Sequence, residues 1–270
     1  MGILNVTPDS FSDGGLHRDP GRAAAAGRRM IADGAALLDI GGESTRPGAA
    51  PTPPDEEQRR ILPVIAALAG AGVPLSVDTR NASTMAAALD AGATIVNDIS
   101  ALSHDPAALP LVAARGCPVV LMHMRGTPAT MPRLARYGDV VAEVLAELEA
   151  RVAAAEAAGV RRENVAIDPG IGFAKTPEGS AALLRGLAAF RSLGCSILVG
   201  ASRKGFVGAL SGVADPADRV AGSIAAGLFA LSQGADILRV HDVAATVQAV
   251  RVWQGLAGWA MRGATARDGE

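Results

Sequence analysis

The chain has 270 residues, 49% of them apolar, and its 25 basic and 27 acidic side chains nearly cancel to a net charge of −2. That balance, with aromatics at only 3%, excludes a general attraction to nucleic acid or to an anionic membrane surface, so any phosphate site has to be local. No secretory signal opens the chain and no apolar run is long enough to span a bilayer; the expectation is a cytoplasmic protein whose Cys117 and Cys195 are reduced, buried small hydrophobes.

In chain order, short runs rich in leucine and β-branched residues are expected as strands at 2–6, 36–40, 75–77, 94–96, 118–122, 165–167, 196–199 and 237–240. Runs this apolar belong to strands buried on both faces. Between them, amphipathic helices are expected over 21–33, 55–69, 82–91, 137–158 and 219–233, four of them closed by Gly34, Gly92, Gly159 and Gly234. Alternating strands and helices imply right-handed βαβ units on a parallel sheet. Two domains also fit the length, but eight such units favour a single α/β domain over 1–261. That domain is expected to be a (β/α)8 TIM barrel, a fold that takes about 250 residues, followed by a polar tail over 262–270. The alternative is an open, doubly wound sheet. It normally carries a GxGxxG turn after its first strand, where this chain has Thr7-Pro8-Asp9-Ser10-Phe11-Ser12-Asp13-Gly14-Gly15. Segments 7–20 and 43–54 are long, rich in Gly, Pro and Ser, and lack helical period; long loops in a compact domain are usually functional. They follow strands one and two and are expected as active-site lids, one carrying Asp9 and Asp13, the other Glu43 and Arg46.

Every expected strand runs into polar residues: Asn5; Asp39, then Glu43 to Arg46; Asp78; Asn97 and Asp98; His123; Asp168; Ser202, Arg203 and Lys204; Arg239 and His241. A lone one reads as a helix cap, and for Asp98 with Ser100 that reading stands level with a functional one. Eight in succession converge on the rim where barrels of this type hold their active sites. Asp168 precedes Pro169-Gly170-Ile171-Gly172-Phe173, a segment whose glycines let backbone approach a ligand. A carboxylate there suits a planar amidine-like group held by two parallel hydrogen bonds. With Asn97 and Asp78 it points to a nitrogen-rich heterocycle. The basic residues after strands seven and eight lie where this fold binds phosphate. Arg239 sits in an otherwise apolar run, where an unpaired guanidinium is costly, which argues for an anionic partner. The four histidines are scattered without zinc spacing, and His123 reads equally as a satisfied rim histidine and as a ligand contact. A Mg²⁺ carried mainly by substrate phosphates needs few protein oxygens, and Asn5 can supply one.

These motifs carry a resemblance. Residues 1–15, with Asn5-Val6-Thr7-Pro8-Asp9-Ser10-Phe11-Ser12-Asp13, resemble the opening signature of the dihydropteroate synthase family. Asp39-Ile40-Gly41-Gly42-Glu43-Ser44-Thr45-Arg46-Pro47-Gly48 resembles its second signature. Val77-Asp78-Thr79, Asn97-Asp98-Ile99, the stretch 121–124, the stretch 168–173, Ser202-Arg203-Lys204 and the stretch 239–242 match the rest in order, so the resemblance covers nearly the whole chain. It implies an enzyme that joins 6-hydroxymethyl-7,8-dihydropterin diphosphate to 4-aminobenzoate, with diphosphate lost early and a cation left on the pterin. By resemblance, Asp78, Asn97, Asp168 and Lys204 hold the pterin. Asn5, Thr45, Arg239 and His241 hold the diphosphate, with Mg²⁺ at Asn5. Arg46, Pro47, Phe173, Arg203 and Lys204 surround the aminobenzoate. The residues expected to act in catalysis are Asp168, Lys204, Asp78, Arg46 and Asp13.

The chain departs from the family pattern in three places. Ala174 stands where many members have glycine, which bears on local backbone conformation. Gly205 replaces a residue, often serine, that can touch the aminobenzoate carboxylate; backbone N–H groups of the following helix are the expected substitute. The sequence opens at strand one without the segment common before it, which leaves open a start further upstream. The resemblance also implies a homodimer through helices near the C-terminus, where Trp253 and Trp259 lie. Two rivals share the fold: a barrel presenting methyltetrahydrofolate to a corrinoid protein, and a catalytically silent pterin binder. The basic residues after strands seven and eight speak against the first, and the presence of Asp13 and Arg46 against the second.

Overall fold

Eight short strands alternate with helices along residues 1–7, 20–46 and 48–256, the part of the chain that this computed structural model describes. The strands are β1 (Gly2–Asn5), β2 (Leu38–Gly41), β3 (Leu75–Asp78), β4 (Ile95–Asp98), β5 (Val119–Met122), β6 (Val165–Asp168), β7 (Ser196–Val199) and β8 (Ile237–Leu238). The helices are α1 (Pro20–Ala32), α2 (Pro54–Leu68), α3 (Ala82–Asp90), α4 (Ala108–Arg115), α5 (Val140–Ala157), α6 (Pro177–Arg185), α7 (Gly205–Ser211), α8 (Val220–Ser232) and α9 (Val243–Leu256).

All eight strands run parallel in their sequence order, each hydrogen-bonded to its chain neighbour. A doubly wound sheet reverses strand order at a switch point, so the open-sheet alternative is set aside. The sheet curls back on itself. Gly2 forms a parallel bridge with Val240, and the N–H groups of Ile3 and Val240 donate to Val240 O and Met1 O, both at 2.9 Å. Arg239 N–H meanwhile donates to Val199 O at 3.0 Å, so the chain just past β8 serves both neighbours.

The strands are buried because their side chains are apolar on both faces. Leu38, Ile40, Val77, Val96, Leu121, Ile167 and Leu198 are fully enclosed. Helices complete the enclosure with one apolar stripe each. In α2, Ile61, Val64, Ile65 and Leu68 are buried at helical spacing while Arg59 faces water. Each such side chain contributes about 1.5–3 kcal/mol on burial. The expected strands stop one residue short at β3 and β6, because an apolar count ends at Asp78 and Asp168. The ladder continues through both, pairing Asp78 with Asn97 and Met122 with Asp168, since backbone pairing is indifferent to the side chain. Helix α5 starts at Val140 rather than 137, because Asp139 caps it by accepting from the N–H groups of Val141 and Ala142 at 3.0 and 3.1 Å. Gly34, Gly92, Gly159 and Gly234 each fall two residues past a helix end, as expected.

Cys117 and Cys195 are free, but half-buried rather than enclosed. The segment 42–53 holds neither helix nor strand among its described residues. Its two stems meet at Glu43, whose Oε1 accepts from Arg80 Nη2 at 2.9 Å and Thr52 N–H at 3.0 Å. The buried partner of Glu43 is thus Arg80. Most of the first expected lid (8–19), Pro47, Trp259 and the tail 262–270 lie outside the described residues.

Candidate active site

Parallel strands deliver all their C-terminal ends to one rim, and register decides which side chains meet there. Asn5 is opposite Gly41, Gly41 opposite Asp78, and Asp78 opposite Asn97. Across this row lies Arg239. Its Nε donates to Asp39 Oδ2 at 2.6 Å and its Nη2 to Asp78 Oδ2 at 2.7 Å. Asp39 Oδ2 also accepts from Asn97 Nδ2 at 3.0 Å. Burial opposes the Arg239 charge, but the two carboxylates outweigh it and hold the guanidinium above its ordinary pKa. Burial pushes the Asp78 carboxyl up to about 7, against the pull of Arg239. Two carboxylates share one guanidinium here, and the nearby Asp39 charge adds to burial in favouring the protonated form of Asp78. The anion that Arg239 was expected to need is therefore already present in the protein, as Asp39 and Asp78.

The β6 end is built differently. Asp168 Oδ1 accepts from Gly170 N–H at 2.7 Å, its one hydrogen bond among the described residues. Burial raises its pKa, opposed first by the charge of Lys204. The turn that follows is possible only with glycine at 170: φ is +67°, and a Cβ would lie 2.0 Å from His123 O. Ala174 also adopts a left-handed φ of 49°, which identifies the glycine-to-alanine departure as a strained position.

Lys204, at the start of α7, donates to Ile171 O and places its Nζ 4.6 Å over the Phe173 ring. Burial lowers its pKa to about 8, with Asp168 opposing. A Cβ on Gly200 would lie 3.7 Å from Lys204 Nζ and 3.9 Å from Arg239 Cβ, so both cations flank the same stretch of backbone. His241 Nδ1 lies 3.0 Å from Ser202 Oγ, and burial and then Arg239 push its pKa down to about 4. Arg203, with φ at 59°, pairs with Asp242 through Nε (3.0 Å) and Nη2 (2.5 Å). Thr45 is half-buried and Arg46 exposed; Asp13 and Pro47 fall outside the described residues.

Asp98 is not a helix cap. It accepts from Ser100 N–H, Ser100 Oγ and Leu102 N–H, shaping a turn well before α4 begins. His123 is buried between Glu147, whose Oε2 is 2.9 Å from Nε2, and Lys175, whose Nζ is 2.9 Å from Nδ1. Asp39 in its pairing role, Asp242 and Lys175 are the participants that strand-end reasoning passed over. Lys175 stands two positions past the 168–173 motif, just before a helix, where a lysine reads as surface.

A buried carboxylate with an open oxygen, amide and carboxylate neighbours, and cations along one side define the strand-end site of an α/β enzyme for a nitrogen-rich, anion-bearing small molecule. The comparisons with known proteins agree. Residues 1–241 match the family described as pterin binding enzyme, and the chain belongs to that family. Within it, the chain is similar to dihydropteroate synthases. That of Synechocystis sp. is 46% identical over 257 residues, 95% of this chain and 89% of the relative. That of Escherichia coli is 47% identical over 253 residues, 93% and 89% of the two chains. The solved dihydropteroate synthase of Xanthomonas albilineans with 4-aminobenzoic acid superposes with a TM-score of 0.90 at 51% identity, covering 95% of this chain and 92% of that one.

Proposed function

We propose that this chain condenses 6-hydroxymethyl-7,8-dihydropterin diphosphate with 4-aminobenzoate, giving 7,8-dihydropteroate and diphosphate. The observation that carries the reading is Asp168, buried, with one carboxylate oxygen free of hydrogen bonds among the described residues and with the charges of Lys204 and Arg239 acting on it. It is supported by the Xanthomonas albilineans relative, 48% identical, whose structure is in complex with 7,8-dihydropteroate. We read the curled sheet as a closed (β/α)8 TIM barrel, one domain over 1–261, with active-site loops after β1 and β2.

Asp168 accepts the amidine-like edge of the pterin, helped by Asn97, Asp78 and Lys204. Asn97 keeps its carbonyl oxygen for this, because its amide nitrogen is tied to Asp39. Arg239 keeps Nη1 for the diphosphate, since Nε and Nη2 face Asp39 and Asp78. Asn5, Thr45 and neutral His241 complete the anion site; with Ser202 donating to Nδ1, the Nε2–H of His241 faces the diphosphate. The bond from the pterin methylene to oxygen breaks early. Cationic and dipolar groups stabilise the departing diphosphate, and Asp168 stabilises the positive charge left on the pterin. The neutral arylamine then attacks the methylene without a strong base, lying against Phe173, Lys204, Arg46, Pro47 and Arg203, and the ammonium so formed loses its proton to the released diphosphate; Asp13 assists and both loops exclude water.

Mg²⁺ fits as an ion carried by the substrate. Among the described residues no group of three or more His, Cys, Asp or Glu is placed to hold a metal, and the donor set at the β1 end is the Asn5 amide oxygen. Mg²⁺ usually keeps waters and phosphate oxygens, and it would neutralise the leaving group there.

No helix among the described residues is long and apolar enough to cross a membrane; the proposed setting is the cytoplasm, with small-molecule substrates and no nucleic acid partner. An apolar face at α6–α8 supports the proposed homodimer. There, an apolar groove of about 440 Å³ between Leu184, Phe206 and Ala226 is flanked by Leu210 (72% exposed) and Phe229 (42%). Light scattering on Leu210→Glu should report monomer.

The deciding experiment supplies purified protein with both substrates and Mg²⁺. Diphosphate release that depends on 4-aminobenzoate, with dihydropteroate as product, is expected. Folded protein that yields no dihydropteroate rejects the reading, and pterin binding without turnover would favour a silent binder.

A further inference from the structure

We infer that Lys175 is a positioning residue for the arylamine side of the reaction, fixing the 170–173 turn and with it the Phe173 ring. This rests on the proposed function, in which Phe173 faces the aminobenzoate.

The turn between β6 and α6 cannot hold itself. Gly170, Gly172 and Ala174 alternate in left-handed conformation, with φ of 67°, 81° and 49°. Within the turn, Phe173 N–H to Gly170 O at 3.0 Å is the one backbone bond between its own residues. Side chains must hold the remaining groups. From the β7 side, Lys204 takes Ile171 O and covers the Phe173 ring. From within the same connection, Lys175, anchored to His123 at the end of β5, takes Phe173 O at 2.8 Å. Two lysines thus grip alternate carbonyls of one turn.

Lys175 is itself held with little freedom. Its ammonium has three protons and meets three acceptors: Phe173 O, His123 Nδ1 at 2.9 Å and His123 O at 3.4 Å. For Nδ1 to accept, His123 must be neutral with its proton on Nε2, and Nε2 lies 2.9 Å from Glu147 Oε2. Burial drives His123 down to about 4, which keeps it neutral. Glu147 is in turn held by Arg125. The chain Arg125–Glu147–His123–Lys175 therefore runs from the surface to the back of the turn. Burying a lysine amine is unfavourable, and here it lowers the pKa to about 7, with Asp168 opposing. An apolar residue would fill the same space at lower cost, yet would leave Phe173 O without a donor.

Steady-state kinetics on Lys175→Met, Phe173→Leu and the double variant test this. Lys175→Met should raise KM for 4-aminobenzoate about tenfold while KM for the pterin diphosphate stays within about twofold. In the Phe173→Leu background the same substitution should change KM by only about twofold, because the residue it acts through is already altered. A folded Lys175→Met with both KM values unchanged or raised alike, or an effect that multiplies in full with Phe173→Leu, overturns the inference. If Lys175→Met does not fold, Lys175→Arg takes its place. It keeps the charge but replaces the compact ammonium by a planar fork, and a selective rise of about threefold in KM for 4-aminobenzoate is expected; no rise, or an equal one for both substrates, overturns it. Wild-type protein that makes no dihydropteroate would refute the proposed function instead.

Discussion

On the β2, β3 and β8 side of the rim, Arg239 closes on Asp39 and Asp78 at 2.6 and 2.7 Å, and Asn97 joins Asp39 at 3.0 Å. On the β6 side, Asp168 is as deeply buried but takes one backbone N–H. The first group balances most of its charge before any ligand arrives; the second keeps a charge open toward the site. Charges that satisfy one another hold the rim in shape, whereas an open carboxylate has more to gain from a ligand than from the protein.

The contrast breaks most visibly at Arg239. Arg239→Ala leaves two buried carboxylates with no cation between them. A loss of about 3–5 kcal/mol in stability is expected, as when one partner of a buried ion pair is removed; urea denaturation reads it. Diphosphate binding should weaken while pterin alone still binds. A loss below about 1 kcal/mol would mean that the triad is a surface pair of little weight.

Asp168→Ala should show the reverse pattern. Pterin affinity is expected to fall by about 1.5–3 kcal/mol or more, the cost of losing a charge-assisted contact, as read by calorimetry. Stability should hold or rise. Burial raises the Asp168 pKa above its unfolded value, so its stabilising contribution is complete below the unfolded pKa and lost as pH rises through the folded one. Burial opposes the ionised form, so in its charged state the group costs the fold stability. Unchanged pterin affinity would remove Asp168 from the site.

Lys204 sharpens the contrast through pH. Its pKa falls from 10.5 unfolded to about 8 folded. Between those values the unfolded chain binds more protons, so this group makes the protein more stable as pH rises through the window. Catalysis should move the other way, because the cation beside Asp168 disappears. kcat/KM is expected to fall above a pH of about 8 while the melting temperature does not fall with it. Parallel loss of both would indicate general unfolding.

The two sides also differ in how far the sequence discloses them. Strand runs at 2–6, 118–122 and 196–199 are legible because burial on both faces demands continuous apolar residues, and polar ends mark where each run reaches the rim. Asp168 and Lys204 are legible because each sits in a local motif. The triad is not: Asp39 and Arg239 are 200 positions apart, and Asp78 and Arg239 are 161 apart. A residue's burial cost can be read from its own run, but its partner depends on closure of the sheet. For that reason Arg239 suggested a missing anion when two were already in the protein. Lys175 fails for the same reason, since its acceptors lie on β5's end and in the backbone of its own turn.

The smallest expected effect lies at Gly205, where helix α7 begins beside Lys204. A Cβ built there meets nothing within 4 Å, and φ is not left-handed, so a side chain enters without strain. Serine has a hydroxyl able to donate to a carboxylate, and glycine at this position contributes only backbone. If the aminobenzoate carboxylate lies beside Lys204, Gly205→Ser should lower KM for 4-aminobenzoate about two- to fivefold, the gain of one modest hydrogen bond. KM for the pterin diphosphate should not move, because residue 205 is not among the residues proposed to hold that substrate. An equal change in both constants would place residue 205 in general support of the helix, and no change in either would place the carboxylate elsewhere on the rim.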